Sequence, residues 1–148
     1  REYLVTRGDT GFYQNIRFAD PDFLRIFDLD YLAGDETALD SATGALLTES
    51  MAIRYFGRTD VLGEVISLDN QHEFQVAAVV KDLPRNTHFN SLPVIEADFE
   101  MVMPIRALSR MEDFDEAGEW NNLSLGNLTY VVLGAGLDGA WLQGQMIQ

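Results

Sequence analysis

The sequence predicts an α+β domain in which a mixed or antiparallel sheet carries short helices. Three observations predict it. Residues 12–19 and 74–80 repeat their apolar side chains with the two-residue period of a strand. The stretches with helical spacing, near 20–27 and 48–57, are short, and each has its own start or stop residues. No internal repeat or low-complexity tract divides the chain, whose 148 residues suit one domain or two small subdomains.

Taken in order, residues 2–6 (EYLVT) are β-prone. Arg7-Gly8-Asp9-Thr10-Gly11 is turn chemistry, with two glycines free to take positive φ. Phe12, Gln14, Ile16 and Phe18 then alternate with Tyr13, Asn15, Arg17 and Ala19, which predicts one strand. Asp20-Pro21 starts a helix, Asp as the cap and Pro as the first helical residue. Phe23, Leu24 and Phe27 give it an apolar face. Residues 29–40 hold Gly34 and four acids (Asp30, Asp35, Glu36 and Asp40), so they read as a loop with a turn or two.

Residues 45–48 are a short strand, and Thr48 is the cap of the next helix. Glu49 in the first turn suits the helix dipole. Met51, Ala52, Tyr55 and Phe56 form a buried stripe, and Gly57 stands where a helix ends in left-handed backbone. Gly63 turns the chain into a strand over 64–69, and Asn70-Gln71 is the expected hairpin turn. Phe74, Val76, Ala78 and Val80 alternate with Gln75, Ala77 and Val79. Both faces become apolar, as in a central strand, and Pro84 ends it. Residues 86–93 are irregular and 94–104 extended, with Phe99, Met101 and Met103 on one side. A short helix is expected over 105–111, an acidic loop over 112–119, a strand over 127–133 (NLTYVVL), and a helix over 137–147 with Asp138 near its start.

Composition narrows the function. There are no cysteines, which excludes disulfides, thiolate metal sites and cysteine nucleophiles. A net charge of -14, from 10 basic and 24 acidic residues, opposes binding to nucleic acid, which depends on Lys and Arg at phosphates. It also opposes an anionic membrane surface. No apolar run reaches the roughly 18–20 residues of a membrane helix. The chain begins at Arg1 with no signal peptide, and reads as a segment of something longer.

The chemical motifs are weak. Arg7-Gly8-Asp9 is short enough to be a plain turn. Gly134, Gly136 and Gly139 match G-x-G-x-x-G, but only nine residues follow, too few for the second strand and acid of a dinucleotide site. A strand-to-helix turn explains them. Asp113, Asp115 and Gly118 resemble the start of a calcium loop whose twelfth position would be Ser124 instead of Glu. His72 and His88 are isolated from each other and from any metal-ligand spacing. Ser124 lacks the first glycine of G-x-S-x-G. The sequons at Asn122 and Asn127 matter only in a eukaryotic secretory setting. Carboxylate pairs for hydrolysis remain open, because sequence does not say which acids converge.

One ordered series is specific. Asp20-Pro-Asp-Phe-Leu-Arg-Ile-Phe27, Leu47-Thr-Glu-Ser-Met-Ala-Ile-Arg-Tyr-Phe-Gly57, Val61-Leu-Gly63 and Phe74-Gln-Val-Ala-Ala-Val-Val-Lys-Asp-Leu-Pro84 occur in this order. The series resembles the MacB-like periplasmic core domain of FtsX-like ABC transporter permeases, with its D-P-x-F-F-x-x-F, L-T-E-S-x-A-x-x-x-F-G, P-L-G-K and F-x-V-x-G-V-x-x-D-x-P motifs. Arg85-Asn-Thr-His-Phe89, Trp120 and Thr129-Tyr-Val-Val-Leu133 resemble one branch of that family. The likeness spans residues 18–133. Val61-Leu-Gly-Glu64 departs from P-L-G-K, and Ala78 stands where Gly is common; neither change removes a catalytic group.

The resemblance implies a non-catalytic extracytoplasmic domain over residues 1–148, held by flanking membrane helices in a bacterial inner membrane. It implies a porter-like part and a distal subdomain over roughly residues 40–125, with the first strand and helix of the family domain truncated. ATP hydrolysis would belong to a cognate ABC ATPase, separate or fused, and would drive export or mechanical signalling. The implied partners are that ATPase, a permease partner, and a periplasmic adaptor or exported substrate; no cofactor is implied. The motif positions Pro21, Phe23, Phe27, Thr48, Glu49, Ala52, Phe56, Gly57, Gly63, Pro84 and His88 carry structural roles in it. The alternative reading is a free-standing ligand-binding or adhesion-type module, calcium-responsive through residues 112–119.

Overall fold

The structure, a computed structural model, describes residues 2–84, 87, 99–111 and 128–146. β1 (Glu2–Arg7) and β2 (Thr10–Asn15) pair with Arg7 opposite Thr10, leaving a two-residue turn. Gly8 takes φ +54° there, the conformation such a turn requires at its first position. β3 (Arg17–Ala19) follows after Ile16 alone. Then come α1 (Asp22–Ile26), β4 (Tyr31–Ala33), β5 (Gly44–Thr48), α2 (Glu49–Phe56), β6 (Val65–Leu68), β7 (His72–Val80) and β8 (Met101–Pro104). A 3-10 turn at Ile105–Ala107 leads into α3 (Leu108–Met111), and α4 spans Gly139–Met146.

Eight strands form one mixed sheet in the order β2-β1-β6-β7-β5-β8-β3, with β4 also on β7. The β5–β7 and β3–β8 pairs are parallel and the others antiparallel. The two ends of that order, β2 and β3, are separated in the chain only by Ile16. Residues two apart lie within about 7 Å, so the sheet must curl until its edges meet. One strand-like run, residues 10–19, pairs with β1 through its first half and with β8 through its second.

Curling creates an inner and an outer core. Inside, Met51, Ala52 and Tyr55 of α2 pack on Val5, Leu47, Ile66, Leu68, Val76 and Met101. Outside, Leu24, Leu29 and Leu39 cover Leu46, Ala78, Val80 and Val102. All five residues of β5 are buried, because both of its faces are covered.

The expected alternation in β7 is broken. Gly44, Ala45 and Leu46 pair with Gln75, Val76 and Ala78, so Ala77 bulges. An extra residue rotates everything after it. Phe74, Val76 and Val79 therefore share the inner core, and Ala78 and Val80 turn outward. The loop expected over 29–40 contains β4, which pairs with Val79 and Val80. Its following residue, Gly34, has φ +74°, and a side chain there would come 2.2 Å from the Ala77 carbonyl oxygen.

Other boundaries shift. Strand 12–19 divides at Ile16. The β6–β7 turn uses Asp69 and Asn70, with φ +49° and +57°, in place of Asn70 and Gln71; the Gln71 amide donates to the Leu68 carbonyl at 3.0 Å. The strand expected at 127–133 is corrected: described residues 128–133 form none. Only a neighbouring strand converts apolar extended sequence into sheet, and Val131 and Val132 are exposed (58% and 71%). The helix after them begins at Gly139 and is capped from Asp138, whose Oδ1 accepts from the Trp141 amide at 2.9 Å. Residues 85–86, 88–98 and 112–127 lie outside the described residues. With them go the irregular 86–93 stretch, most of the extended run before β8, His88, Trp120, the calcium-like loop and Ser124.

Candidate functional site

Three places stand out, and the motif residues mark the first two. The first is the entry to α2. Thr48 occupies the cap position with extended backbone, but its side chain makes no capping bond. It is buried, and its Oγ1 has no hydrogen-bond partner among the described residues. The cap comes from Asp82, just past β7. Its Oδ1 accepts from the Ser50 amide at 3.0 Å, and its Oδ2 from the Ser50 hydroxyl at 2.5 Å. A carboxylate thereby meets the positive end of the helix, beside Glu49. No local pattern signals this cap, because the partners are 32 residues apart. Ala52 is fully buried on the same helix, and Gly57 closes it at φ +70° with its amide on the Ile53 carbonyl, as expected. Phe56 is half-buried and carries the Arg7 guanidinium 4.7 Å from its ring centre. Gly63 has φ +82°, and its amide donates to the Val76 carbonyl at 2.8 Å. Pro84 is exposed, four residues beyond the last of β7.

The second place is α1. Asp20 caps it as predicted, accepting from the Phe23 amide at 3.2 Å, with Pro21 between them in helical backbone. Phe23 and Phe27 pack together and against Tyr130, with Phe23 also stacked on Phe99. Burial raises the Tyr130 phenol above its ordinary pKa. Arg25 bridges to Asp40 at 2.8 Å and to Asp22 at 3.1 Å; the Asp40 hydrogen bond is the larger cause of its raised pKa.

The third place was not signalled by any motif. Gln14 is buried on β2. With the amide oriented so that its nitrogen faces the carboxylate and its oxygen the guanidinium, the assignment that satisfies both neighbours, it donates to Glu100 Oε2 at 2.9 Å and accepts from Arg54 at 2.6 Å. The Met51 sulfur lies 3.8 Å from the same guanidinium. Next to this trio, Phe12 meets Tyr55 edge-on at 5.7 Å, and Arg54 lies 6.0 Å from the Phe12 ring centre. Burial pushes the Tyr55 phenol up to about 12.

These arrangements organise a fold and do not assemble a reaction. Among the described residues no group of three His, Cys, Asp or Glu could hold a metal ion. An open groove of 520 Å³ beside α1 is lined by Phe27, Tyr31, Asp35 and Thr37. The carboxylate of Asp35 is held below its ordinary pKa by the Thr37 hydroxyl and amide. A second groove, of 640 Å³, lies between Arg7 and Leu62. In the first groove the Thr37 hydroxyl is tied to the Asp35 carboxylate two residues away, as in a local turn. Gly134, Gly136 and Gly139 make a turn into α4 with no strand before it among the described residues. Arg7 of the R-G-D turn is drawn 3.9 Å from Glu64, which Arg58 also pairs.

No curated protein matches the chain. Solved structures do. The chain resembles a domain of a protein described as a permease from Porphyromonas gingivalis (26% identity, TM-score 0.58), covering 99% of this chain and 60% of that one. It also resembles the periplasmic region of MacB from Actinobacillus actinomycetemcomitans (17%, 0.56, covering 78% and 49%). A third likeness is to the extracellular domain of the noncanonic ABC-type transporter YknZ from Gram-positive bacteria (18%, 0.53, covering 74% and 53%). The chain thus spans about half to three-fifths of the length of these structures. At such identities the last two speak for the fold alone. The MacB-like periplasmic core domain family matches residues 2–145, nearly the whole chain, and the chain belongs to that family.

Proposed function

We propose that the chain is the extracytoplasmic domain of a MacB- or FtsX-like ABC transporter permease, anchored in a bacterial inner membrane. In this reading it performs no chemistry. It couples ATP hydrolysis on a cognate cytoplasmic ATPase, separate or fused, to export or to mechanical signalling. Its partners are that ATPase, a second permease subunit, and a periplasmic adaptor or exported substrate. The observation that carries the reading is the family match over residues 2–145, joined to a curled sheet of the kind found in MacB and YknZ. The motif residues support it by their placement at caps, turns and packing contacts, where they hold shape.

The chain has no cysteine, which supplies a clean test in the full-length gene product once any cysteines outside these residues are replaced. A single cysteine at the exposed Asp9 is expected to react with a membrane-impermeant maleimide in intact spheroplasts. Reaction only after the membrane is permeabilised would refute the extracytoplasmic placement. Purified full-length protein with its ATPase is expected to hydrolyse ATP, and the 148-residue chain alone to show no hydrolysis.

A further inference from the structure

We infer that Gln14, Arg54 and Glu100 form a latch that holds the β1–β2 hairpin as a flap on the curled sheet. The topology defines a seam. Residues 10–15 pair with β1, residues 17–19 pair with β8, and the change of partner happens at Ile16. Extending the parallel β3–β8 register back by two residues from Arg17–Val102 sets Asn15 beside Glu100. No strand pairing joins β2 to this side among the described residues. Side chains bridge the gap instead.

The flap supplies one member of the trio and the body supplies two. Gln14 comes from the flap. Glu100 belongs to the body, where its carbonyl accepts from the Thr48 amide at 3.0 Å. Arg54 comes from α2, whose Met51 and Ala52 are buried in the inner core. Both hydrogen bonds of the Gln14 amide run to charged groups, and such bonds are short and directional. A neutral amide between a guanidinium and a carboxylate satisfies both, and loses both when the strand moves by an ångström or two.

The flap has few other backbone ties. β1 meets β6 through only two register pairs, Val5 with Leu68 and Thr6 with Ser67. Leu4 adds two bonds to Asp69, one to its amide and one to its side chain. Its own Tyr3 and Val5 are buried in the inner core, so the closed flap is held by apolar packing, and the latch fixes its edge at the seam. Ile16 is the residue about which the hairpin would swing relative to β3. This device is independent of what the full-length protein transports.

Hydrogen exchange on the 148-residue chain tests it. Gln14→Leu keeps the bulk and removes both bonds. The amides of Leu4 and Asp69, which tie the hairpin to the end of β6, are expected to exchange about tenfold faster or more, as in a local opening, while those of β5 and β7 keep their rates. Glu100→Gln retains the acceptor and is expected to leave the flap near its parent rates. Ile53→Ala, on the exposed face of α2, is the control and is expected to change neither set. Equal acceleration in all strands, or no change at Leu4 and Asp69, would overturn the latch. If Gln14→Leu does not fold, Arg54→Met is measured in its place: selective acceleration of the same amides supports the latch, and any other result overturns it.

Discussion

At the scale of single residues, the helix cap is decided by geometry that the local sequence conceals. Thr48 followed by Glu49 has the composition of an N-terminal signal, and Thr48 does take the cap position. Its hydroxyl is nevertheless turned into the core, and Asp82 does the capping from the far end of β7. The two residues therefore separate in a stability measurement. Asp82→Ala should destabilise the fold by about 1–2 kcal/mol, the ordinary cost of a lost cap. Thr48→Val removes a buried hydroxyl that lacks a partner among the described residues. It should leave stability within about 0.5 kcal/mol or raise it, since an unsatisfied buried polar group is a liability. Urea midpoints of the two variants check the contrast. A loss of more than 1 kcal/mol for Thr48→Val, with none for Asp82→Ala, would return the cap to Thr48.

At the scale of elements, the central event is the bulge in β7. Period-two patterning correctly marks residues 74–80 as a strand covered on both faces. It assigns Ala78 and Val80 to the wrong face, because a single unpaired residue, Ala77, reverses the alternation. Nothing in the side-chain types of Gln75-Val-Ala-Ala-Val marks the position. β4 escapes detection for a related reason. Three residues among acids and a glycine have no period to read, and they become a strand because β7 offers them an edge. Gly34 belongs to this junction. Alanine there would press on the Ala77 carbonyl and sit in left-handed backbone. Gly34→Ala should thus cost roughly 2–5 kcal/mol, adding backbone strain to overpacking. Gly8→Ala provides the comparison, because its φ is also positive but nothing lies within 4 Å of a side chain there; its cost should be smaller by 1 kcal/mol or more. Similar losses at both glycines in thermal or urea melts would mean that the contact with β7 is unimportant.

At the scale of the whole molecule, charge and closure dominate. An excess of 14 negative charges on 148 residues repels itself most strongly in the compact state, and salt screens that repulsion within about 10 Å at 0.1 M. The described ion pairs, such as Arg25–Asp40 and Lys81–Asp30, lie at the surface and contribute little each. The melting temperature should accordingly rise as sodium chloride increases from about 0.01 to 0.15 M; a fall would mean that attractive pairs outweigh the net repulsion. By itself the sequence determined the α+β class, the Asp20 cap of α1 and the Gly57 stop of α2, the central position of β7, and the ordered motifs that identify the family. Those are local matters of period, turn chemistry and residue order. The tertiary structure decided which edge each strand meets, which face each β7 residue shows after Ala77, and that Asp82 caps α2. It also left residues 128–133 without a partner strand among the described residues and brought Gln14, Arg54 and Glu100 to one seam. Each of these depends on groups distant in the chain becoming neighbours when the sheet curls, and no periodicity within a segment encodes where its ends will meet.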